Sequence, residues 1–364
     1  MKTRLAYLDG LRGIAILMVF MIHSGAPAVR AMGPIGNSFV DHGKYGVTVF
    51  FVVSAFSLCL SLSRAFDGKS VSWQSYFVRR FFRIAPLYYL VLAYTMLSGF
   101  TAMVPHSGHA ETLIYHLTFA NIVAPWFAND IIGVEWSIAV EWAFYMLLPA
   151  IIVLCRLQYG LAVLILISAS LFWWRDQITI ALGQSFFENR NYTILSHLYS
   201  FTIGIFVYLA VAKNWIGVGL RRALTILSAI MVAFLLWRGE NGWSGLMIAT
   251  ITGVAIVNAS AGHMAVRILS WRLITFVGMI SYSVYLLHFI VISHYFAIGH
   301  YFGELVWMSG LSLLGVLGML FLTIAFATLT YYAIEQPFRI LGGKLTQQMM
   351  PVVSRLPRAR PIAD

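Results

Sequence analysis

The sequence predicts an all-α, polytopic membrane protein with about ten transmembrane helices and with both termini in the cytoplasm. Three observations predict this fold class. Of the 364 residues, 60% are hydrophobic and only 10% are charged, whereas a soluble domain carries roughly 25% charged residues. The apolar residues form long continuous runs, each close to the roughly 20 residues that cross a bilayer as a helix. The basic residues gather at alternate ends of these runs, and the whole pattern excludes a soluble enzyme, a disordered chain and a disulfide-stapled secreted domain.

Ten apolar segments are long enough to cross a membrane. Proline, glycine and charged residues separate them. The first segment has no small-residue cleavage site after it, so we expect it to stay in the protein as a membrane span. We predict one transmembrane domain over residues 1–340 and a short basic cytoplasmic tail over 341–364. The ten segments are approximately 10–28, 45–63, 77–98, 136–155, 159–175, 194–212, 221–238, 243–260, 273–297 and 306–332.

The distribution of basic residues predicts the topology. With a cytoplasmic N-terminus and ten spans, 19 of the 24 Lys and Arg residues lie on the cytoplasmic side and five on the other, as the positive-inside rule requires. We therefore attribute the net charge of +11 to the excess of basic residues that a protein in the lipid bilayer carries on its cytoplasmic side. We predict no nucleic-acid partner. The two cysteines, Cys59 and Cys155, have no metal-binding spacing, so we also predict no metal site.

The first segment carries an arginine and a histidine on one face. Arg12 and His23 are eleven residues apart, which places them within about 20° of each other around a helix and about 16 Å apart along it. Asp9 lies one turn before Arg12 and is expected to pair with it. Taken singly, Arg12 could be an interfacial anchor and His23 a hydrogen-bonded histidine of the bundle. Ionisable groups inside a span are costly, however, and indicate function by default.

The third segment begins with three arginines. Arg80 and Arg83 are three residues apart and share a helix face, whereas Arg79 points elsewhere. Two guanidinium groups on one face suit a phosphate, because the planar donor fork matches phosphate oxygens. The simpler interpretation, that all three are topology charges, fits Arg79 better than Arg83, which lies deeper in the apolar run.

Two further segments carry polar stripes. Ser137, Glu141 and Tyr145 recur every four residues in the fourth span, and Glu141 must find its partner across the bundle. In the ninth span, Ser281, Tyr285 and His288 form a second stripe. Helix–helix hydrogen bonding is the simpler explanation for the Ser and Tyr members.

Counting depth along the helices separates these groups. His23 and His288 both lie on the order of 20 Å from the cytoplasmic ends of their spans, and Glu141 lies about one turn from the opposite side. We therefore expect these three side chains to meet in the outer half of the bundle. Arg12, Arg80 and Arg83 are expected in the inner half, where a basic mouth suits a long donor with an anionic head and a reactive tail.

An ordered set of motifs resembles the acyltransferase 3 family of integral membrane acyltransferases, and it covers nearly the whole chain. One departure is Ala55, which stands where the family commonly has glycine. No hydrolase-like extracytoplasmic domain is expected after the tenth span. The matching stretches are YLDGLRGIAILMVFMIH (7–23), GVTVFFVVSAF (46–56), RRFFRIAPLYY (79–89), WSIAVEWAFYMLLP (136–149), GMISYSVYLLH (278–288) and YYAIEQPFR (331–339).

The resemblance implies a ten-span O-acyltransferase of the bacterial inner membrane. Such a protein would move an acetyl or other short acyl group from cytoplasmic acyl-CoA, usually acetyl-CoA, to a hydroxyl of a surface glycan or of a lipid-linked glycan precursor. The family's Arg-x10-His pattern falls on Arg12 and His23, and its Arg-x-x-Arg pattern falls on Arg80 and Arg83. Arg12, Arg80 and Arg83 would then hold the CoA phosphates.

His23 would act as general base on the acceptor hydroxyl, or would briefly carry the acyl group. Glu141 would orient or charge-balance a histidine, and His288 is a second catalytic candidate. Two rival classes stay open: a transporter or flippase of an anionic or glycan substrate, and a membrane sensor in which His23 is a pH switch. The sequence leaves the acceptor, the acyl group and the oligomeric state undetermined.

Overall fold

The computed structural model describes residues 5–98, 109–301 and 313–348, and this part of the chain is helical and contains no β-strand. The predicted all-α class is confirmed. Shorter helices connect the twelve helices that are labelled here. The labelled helices are α1 Ala6–His23, α2 Gly46–Ser61, α3 Trp73–Leu97, α4 Trp136–Cys155, α5 Gly160–Leu182, α6 Leu198–Ala212, α7 Val218–Arg238, α8 Ser244–Ser260, α9 Arg272–Met279, α10 Ser281–Tyr301, α11 Leu313–Thr330 and α12 Gln336–Gln348.

Six helical segments of the described chain are long and apolar enough to cross a membrane, and a seventh is added if α9 and α10 form one bent span. α6 and α8 are apolar but shorter, and the 25-residue α3 contains the three arginines. The chain is thus a multi-pass membrane protein. The count of ten spans and the cytoplasmic termini stay predictions, and residues 306–312 of the tenth predicted span lie outside the described residues. The six segments are Ala6–His23, Pro34–Ser61, Trp136–Cys155, Gly160–Leu182, Val218–Arg238 and Leu313–Gln348.

Glycines bring α1 and α9 into backbone contact. A Cβ added to Gly278 would lie 1.7 Å from the Asp9 carbonyl oxygen, and one added to Gly13 would lie 2.3 Å from the Ile274 carbonyl oxygen. Only glycine fits at such a close approach. Because Arg12 lies between Asp9 and Gly13, this contact fixes its position in the bundle.

Ala55, the departure from the family pattern, packs against a glycine of the neighbouring helix. It is fully buried in α2, and a Cβ added to Gly204 of α6 would lie 2.7 Å from the Ala55 Cβ. The extra methyl group is therefore accommodated by the missing side chain opposite.

Two irregularities shape one end of the bundle. α9 and α10 meet at an angle of 76° at Ile280, without a proline, which brings the start of α10 to the pocket described below. Tyr331–Glu335 forms a turn of π-helix just before Pro337, which has no N–H to donate and crowds the carbonyl four residues earlier. The widened turn leaves Glu335 buried near the same pocket.

α12 continues from this turn to Gln348, across the predicted domain boundary at residue 340. It packs on α3, where a Cβ added to Gly342 would lie 2.7 Å from the Phe82 Cβ. The rest of the predicted tail, 349–364, lies outside the described residues.

α5 and α7 lie at the periphery of the bundle. Only 11% of the apolar window of α5 and 6% of that of α7 are buried inside the protein. Large apolar side chains such as Trp173, Ile226 and Trp237 are exposed on them. The apolar composition of these surfaces suits contact with the lipid bilayer.

Candidate active site

A pocket at the Arg12 end of α1 gathers charged side chains from five helical segments. Its outer part is a cavity of about 310 Å³, and a narrower inner part adds about 60 Å³. Arg12, Arg83, Ser281 and Tyr282 line both parts, so the two form one continuous pocket. The outer part is also lined by Asp9, Ser57, Glu335 and Arg339, and the inner part by Ser54, Ser137, Glu141 and Tyr285.

Arg12 is held in place by two contacts. Its guanidinium lies 3.2 Å from the Asp9 carboxylate, as the sequence predicts. It also donates a 2.9 Å hydrogen bond to the Ser57 hydroxyl on α2. The side chain is thus ordered before any ligand arrives and presents its charge to the pocket.

Arg83 lines both parts of the pocket. No hydrogen bond or ion pair joins it to another described residue, although Glu141 and Glu335 lie close enough to act on it electrostatically. A partly buried cation with open donors favours an anionic ligand. The two carboxylates offset its desolvation while leaving those donors available.

Arg80 and Arg79 point in different directions, as their helical spacing predicts. The Arg80 guanidinium carbon lies 5.8 Å from the Tyr145 ring centroid and 6.0 Å from that of Tyr76. The Nε atom of Arg80 is buried and has no hydrogen-bond partner among the described residues. Arg79 is exposed and contacts Thr346 of α12 at 3.4 Å, away from the pocket.

Glu141 lies with the arginines rather than with the histidines. Its Oε1 accepts 2.6 Å hydrogen bonds from the Ser54 and Tyr145 hydroxyls, and it lines the same inner cavity as Arg12 and Arg83. Ser54 of α2 is thus the partner that Glu141 was expected to find across the bundle. Neither His23 nor His288 is hydrogen-bonded to Glu141 within the described chain, which corrects the expected meeting of the three. The reason is that depth along a helix does not fix the direction in which a side chain points.

The two predicted histidines do meet. His23 Nδ1 lies 2.9 Å from His288 Nε2, and the ring centroids are 5.0 Å apart. His288 is fully buried, whereas His23 is partly exposed. The edge of the Phe289 ring also packs against His23.

The hydrogen-bond network assigns the proton positions of this pair. His288 Nδ1 lies 2.6 Å from the Tyr285 carbonyl oxygen, which only accepts, so this nitrogen carries the proton. Burial away from water favours the neutral ring, whose Nε2 then accepts from His23 Nδ1–H. The Val19 carbonyl is a second acceptor for the ring of His23, and no described residue donates to His23 Nε2. His23 thus keeps the Nε2 lone pair that a base or nucleophile needs.

Tyr285 joins the pocket to the histidines. Its side chain lines the inner cavity, and its ring centroid lies 5.7 Å from that of His288. Its hydroxyl accepts from Ser137 Oγ and donates to the Val134 carbonyl oxygen, both at 2.7 Å.

Several pocket residues are absent from the sequence-based candidates. Arg339 and Glu335 are an ion pair at 3.8 Å and lie in the quoted stretch YYAIEQPFR, so the family resemblance could have found them. Ser54 lies in the quoted stretch GVTVFFVVSAF, so the family resemblance could have found it too, whereas only the spacing of three residues from Ser54 gave a signal for Ser57. Nothing in the sequence pairs Tyr285 with Val134.

Comparison with known proteins assigns the family. Residues 5–332 match the acyltransferase 3 family, described as an acyltransferase domain. The chain belongs to the acyltransferase 3 family. The match extends from the start of α1 into the π-helical turn and so includes every site residue predicted from the sequence, whereas Glu335 and Arg339 of the pocket lie beyond it. No solved structure matches significantly.

Curated relatives of this acyltransferase 3 protein are similar at low identity. A Staphylococcus aureus (strain COL) protein named "Putative O-acetyltransferase" is 25% identical over 376 residues, with 93% of this chain and 58% of the relative covered. A Bacillus subtilis (strain 168) protein named "Putative peptidoglycan O-acetyltransferase" is 23% identical, with coverages of 92% and 55%. The chain therefore spans little more than half the length of these two relatives. A protein of Acidianus two-tailed virus, named "Putative acetyltransferase", is 25% identical, with 87% of each chain covered.

Proposed function

We propose that this protein is an O-acyltransferase of the bacterial inner membrane that moves an acetyl group from cytoplasmic acetyl-CoA to a hydroxyl of a surface glycan or of its lipid-linked precursor. The observation that carries this proposal is the hydrogen-bonded His23–His288 pair, because its free Nε2 follows directly from the network. Membership of the acyltransferase 3 family and the names of the relatives support the same reaction class.

The arginine pocket is the proposed donor site. Arg83 has no hydrogen-bond or ion-pair partner among the described residues, and Arg12 is already oriented by Asp9 and Ser57. Arg80 is not among the residues that line the pocket, but its buried Nε, which has no partner in the described chain, is a third donor that we propose for the phosphates. These groups fit the phosphates of CoA, since charge-assisted hydrogen bonds to phosphate are among the strongest that proteins make. Arg12 and His23 are about 16 Å apart along α1, a distance that an extended pantetheine arm can bridge.

His23 is the proposed general base. Its Nε2 takes the proton of the acceptor hydroxyl as the acceptor oxygen bonds to the carbonyl carbon of the acetyl group. The C–S bond then breaks, and the proton passes from His23 to the departing thiolate. His288 accepts the Nδ1–H of His23 and so stabilises the imidazolium that forms during the transfer.

In a second route, the same Nε2 lone pair attacks the thioester carbonyl carbon, the C–S bond breaks and CoA leaves as the thiolate. The acyl group then rests on His23 Nε2 until the acceptor hydroxyl takes it and gives its proton to the thiolate. The two routes differ in one measurable product. Radiolabelled acetyl-CoA without acceptor would leave acetyl on the protein only in the second route. We favour the role of His23 as a general base, because the hydrogen-bond chain from His23 through His288 to the Tyr285 carbonyl suits proton transfer.

The deciding experiment uses the full chain in nanodiscs with acetyl-labelled CoA and isolated cell-envelope glycan. We expect label to move from CoA to the glycan, with the acetyl ester released by mild alkali. The matched control is His294→Ala, which removes another histidine of α10 outside the site. Absence of both transfer and acetyl-CoA hydrolysis, together with donor-independent movement of a glycan across the membrane of sealed proteoliposomes, would replace this proposal by the transporter hypothesis.

A further inference from the structure

A buried carboxylate holds the loop that precedes α4. Glu135 is 0% exposed, and its Oε1 accepts from the backbone N–H groups of Ile131 and Ile132 at 2.7 and 3.0 Å. Its Oε2 accepts from those of Gly133 and Val134 at 2.6 and 2.9 Å. Four consecutive amides thus point at one side chain. Gly133 has φ 95°, a conformation that favours glycine and lets the chain wrap around the carboxylate.

This loop is tied to the histidine pair through one tyrosine. The Val134 carbonyl oxygen accepts the 2.7 Å hydrogen bond of the Tyr285 hydroxyl. The carbonyl of the same tyrosine accepts the proton of His288 Nδ1 at 2.6 Å, and His288 Nε2 accepts that of His23 Nδ1. The two ends of Tyr285 therefore connect the Glu135 loop to the ring that sets the tautomer of His23.

We propose that Glu135 is a positioning residue for the catalytic histidine pair. This inference rests on the proposed function, in which His23 is the base. Glu135 does not touch the reacting atoms. Its carboxylate fixes the Val134 carbonyl, which holds the hydroxyl of Tyr285. The Tyr285 ring then supports the His288 ring in the position in which His288 donates from Nδ1 and accepts from His23.

Only a carboxylate can satisfy this loop. Two carboxylate oxygens together offer about four lone-pair sites, which matches the four N–H donors. The glutamine amide keeps one oxygen and places two N–H donors against two backbone N–H groups. Glu135→Gln therefore loosens the loop while changing the side-chain volume very little, which makes it the test variant of choice.

Loosening the loop is expected to act on catalysis rather than on donor binding. When the Tyr285 ring is no longer anchored at its hydroxyl, the His288 ring packed 5.7 Å from it can turn away from the Tyr285 and Val284 carbonyls that hold its Nδ1–H. His288 can then carry its proton on Nε2 instead. His23 Nδ1 must then accept, its own proton moves to Nε2, and the base is lost in that fraction of molecules. Arg12, Arg80 and Arg83 are unaffected by this change.

The experiment compares Glu135→Gln with Glu188→Gln, an exposed glutamate whose only described side-chain partner is Gln184. For Glu135→Gln we expect kcat to fall on the order of 10²-fold, the size of a small misplacement of catalytic groups. The KM for acetyl-CoA should stay close to that of the wild type. The Glu188→Gln control should change neither. A folded Glu135→Gln protein with wild-type kcat, or with a raised KM and unchanged kcat, overturns the proposal.

A second variant covers the case in which Glu135→Gln does not accumulate. Tyr285→Phe removes the hydroxyl that donates to Val134 and accepts from Ser137 but keeps the ring, and we expect the same split between kcat and KM. Where both single variants fold, the double variant should be no slower than either, because both break one connection. Fully additive losses, or an unaltered kcat in Tyr285→Phe, contradict the relay.

A measurement independent of activity separates this inference from the proposed function. In protein with ¹⁵N-labelled histidine, long-range ¹H–¹⁵N spectra report which ring nitrogen carries the proton. We expect Nδ1–H at His23 and His288 in the wild type and a mixture in Glu135→Gln. If the wild type transfers no acetyl group but the tautomers respond to Glu135→Gln, the function fails and the positioning stands. If the wild type is active and the tautomers do not respond, the positioning is wrong and the function stands.

Discussion

His23 ends α1 and His288 lies two turns into α10, yet their ring nitrogens are 2.9 Å apart. Because His288 is anchored to the Tyr285 carbonyl, the pair has a direction. His288 donates to a fixed acceptor, and His23 is the more exposed ring of the two, with an unprotonated Nε2. Because the two rings differ in this way, we expect removal of each ring to affect acyl transfer to a different extent.

His23→Ala should abolish acyl transfer while leaving donor binding intact. Loss of a general base typically lowers a rate by 10²–10⁴-fold, and Arg12 and Arg83 remain to bind acetyl-CoA. Transfer assays and calorimetric titration with CoA measure the two effects. A variant that accumulates normally and transfers acetyl at nearly the wild-type rate contradicts the role of His23.

His288→Ala should be less severe than His23→Ala, because it removes orientation and charge stabilisation but leaves the base. We expect a loss of roughly 10–10²-fold in kcat, below that of the base itself. The double variant His23→Ala/His288→Ala should be no slower than His23→Ala, since the second ring acts only through the first. A greater loss from His288→Ala than from His23→Ala would reverse the two assignments.

Arg83→Ala should weaken acetyl-CoA binding more than Arg79→Ala. Losing one charge-assisted phosphate contact costs roughly 1.5–3 kcal/mol, or about tenfold to a hundredfold in Kd. Arg79 contacts Thr346 on the outside of the pocket and serves as the matched control. Calorimetry in which Arg79→Ala has the larger effect would show that the donor lies on the other face of α3.

Gly278→Ala should destabilise the bundle and displace Arg12. The added methyl would lie 1.7 Å from the Asp9 carbonyl oxygen, so α1 and α9 must move apart, at a cost of about 1–3 kcal/mol for overpacking. Gly318→Ala in α11 is the control, because nothing lies within 4 Å of its Cβ. Thermal unfolding in detergent should show a lower midpoint for Gly278→Ala alone.

Both termini should be cytoplasmic, from the distribution of 19 and five basic residues on the two sides. Reporter fusions at Gly99 and at the C-terminal Asp364 test this topology. An external C-terminus would remove the ten-span arrangement and would place the arginine pocket on the side that lacks acetyl-CoA.

The sequence predicted which residues matter better than it predicted how they are grouped. The helix class, the Asp9–Arg12 pair and the meeting of His23 with His288 follow from hydropathy and spacing, which are local properties. Glu141 was expected near the histidines because only its depth could be counted. Its partner Ser54 comes from α2, 87 residues away in sequence, and relative helix rotation is set by packing.

The bend at Ile280 was not predicted either. The residues Gly278 to Ser281 contain no proline and read as a continuous apolar helix. The close approach of Gly278 to Asp9 is a tertiary contact, and no local propensity reports it. Glu135 was likewise overlooked, because its four donors are backbone amides that leave no mark in the side-chain pattern.

The peripheral position of α5 and α7 has an evolutionary consequence. Side chains that face lipid need only be apolar, so exchanges among Leu, Ile, Val and Phe on these helices cost little. α1, α2, α4 and α10 are constrained by backbone contacts and by the hydrogen bonds of the pocket. The chain is 25% identical to its Staphylococcus aureus relative. We therefore expect the identical residues to be concentrated on those inner helices. Sequence drift would then be absorbed by the lipid-facing helices while the reacting groups keep their places.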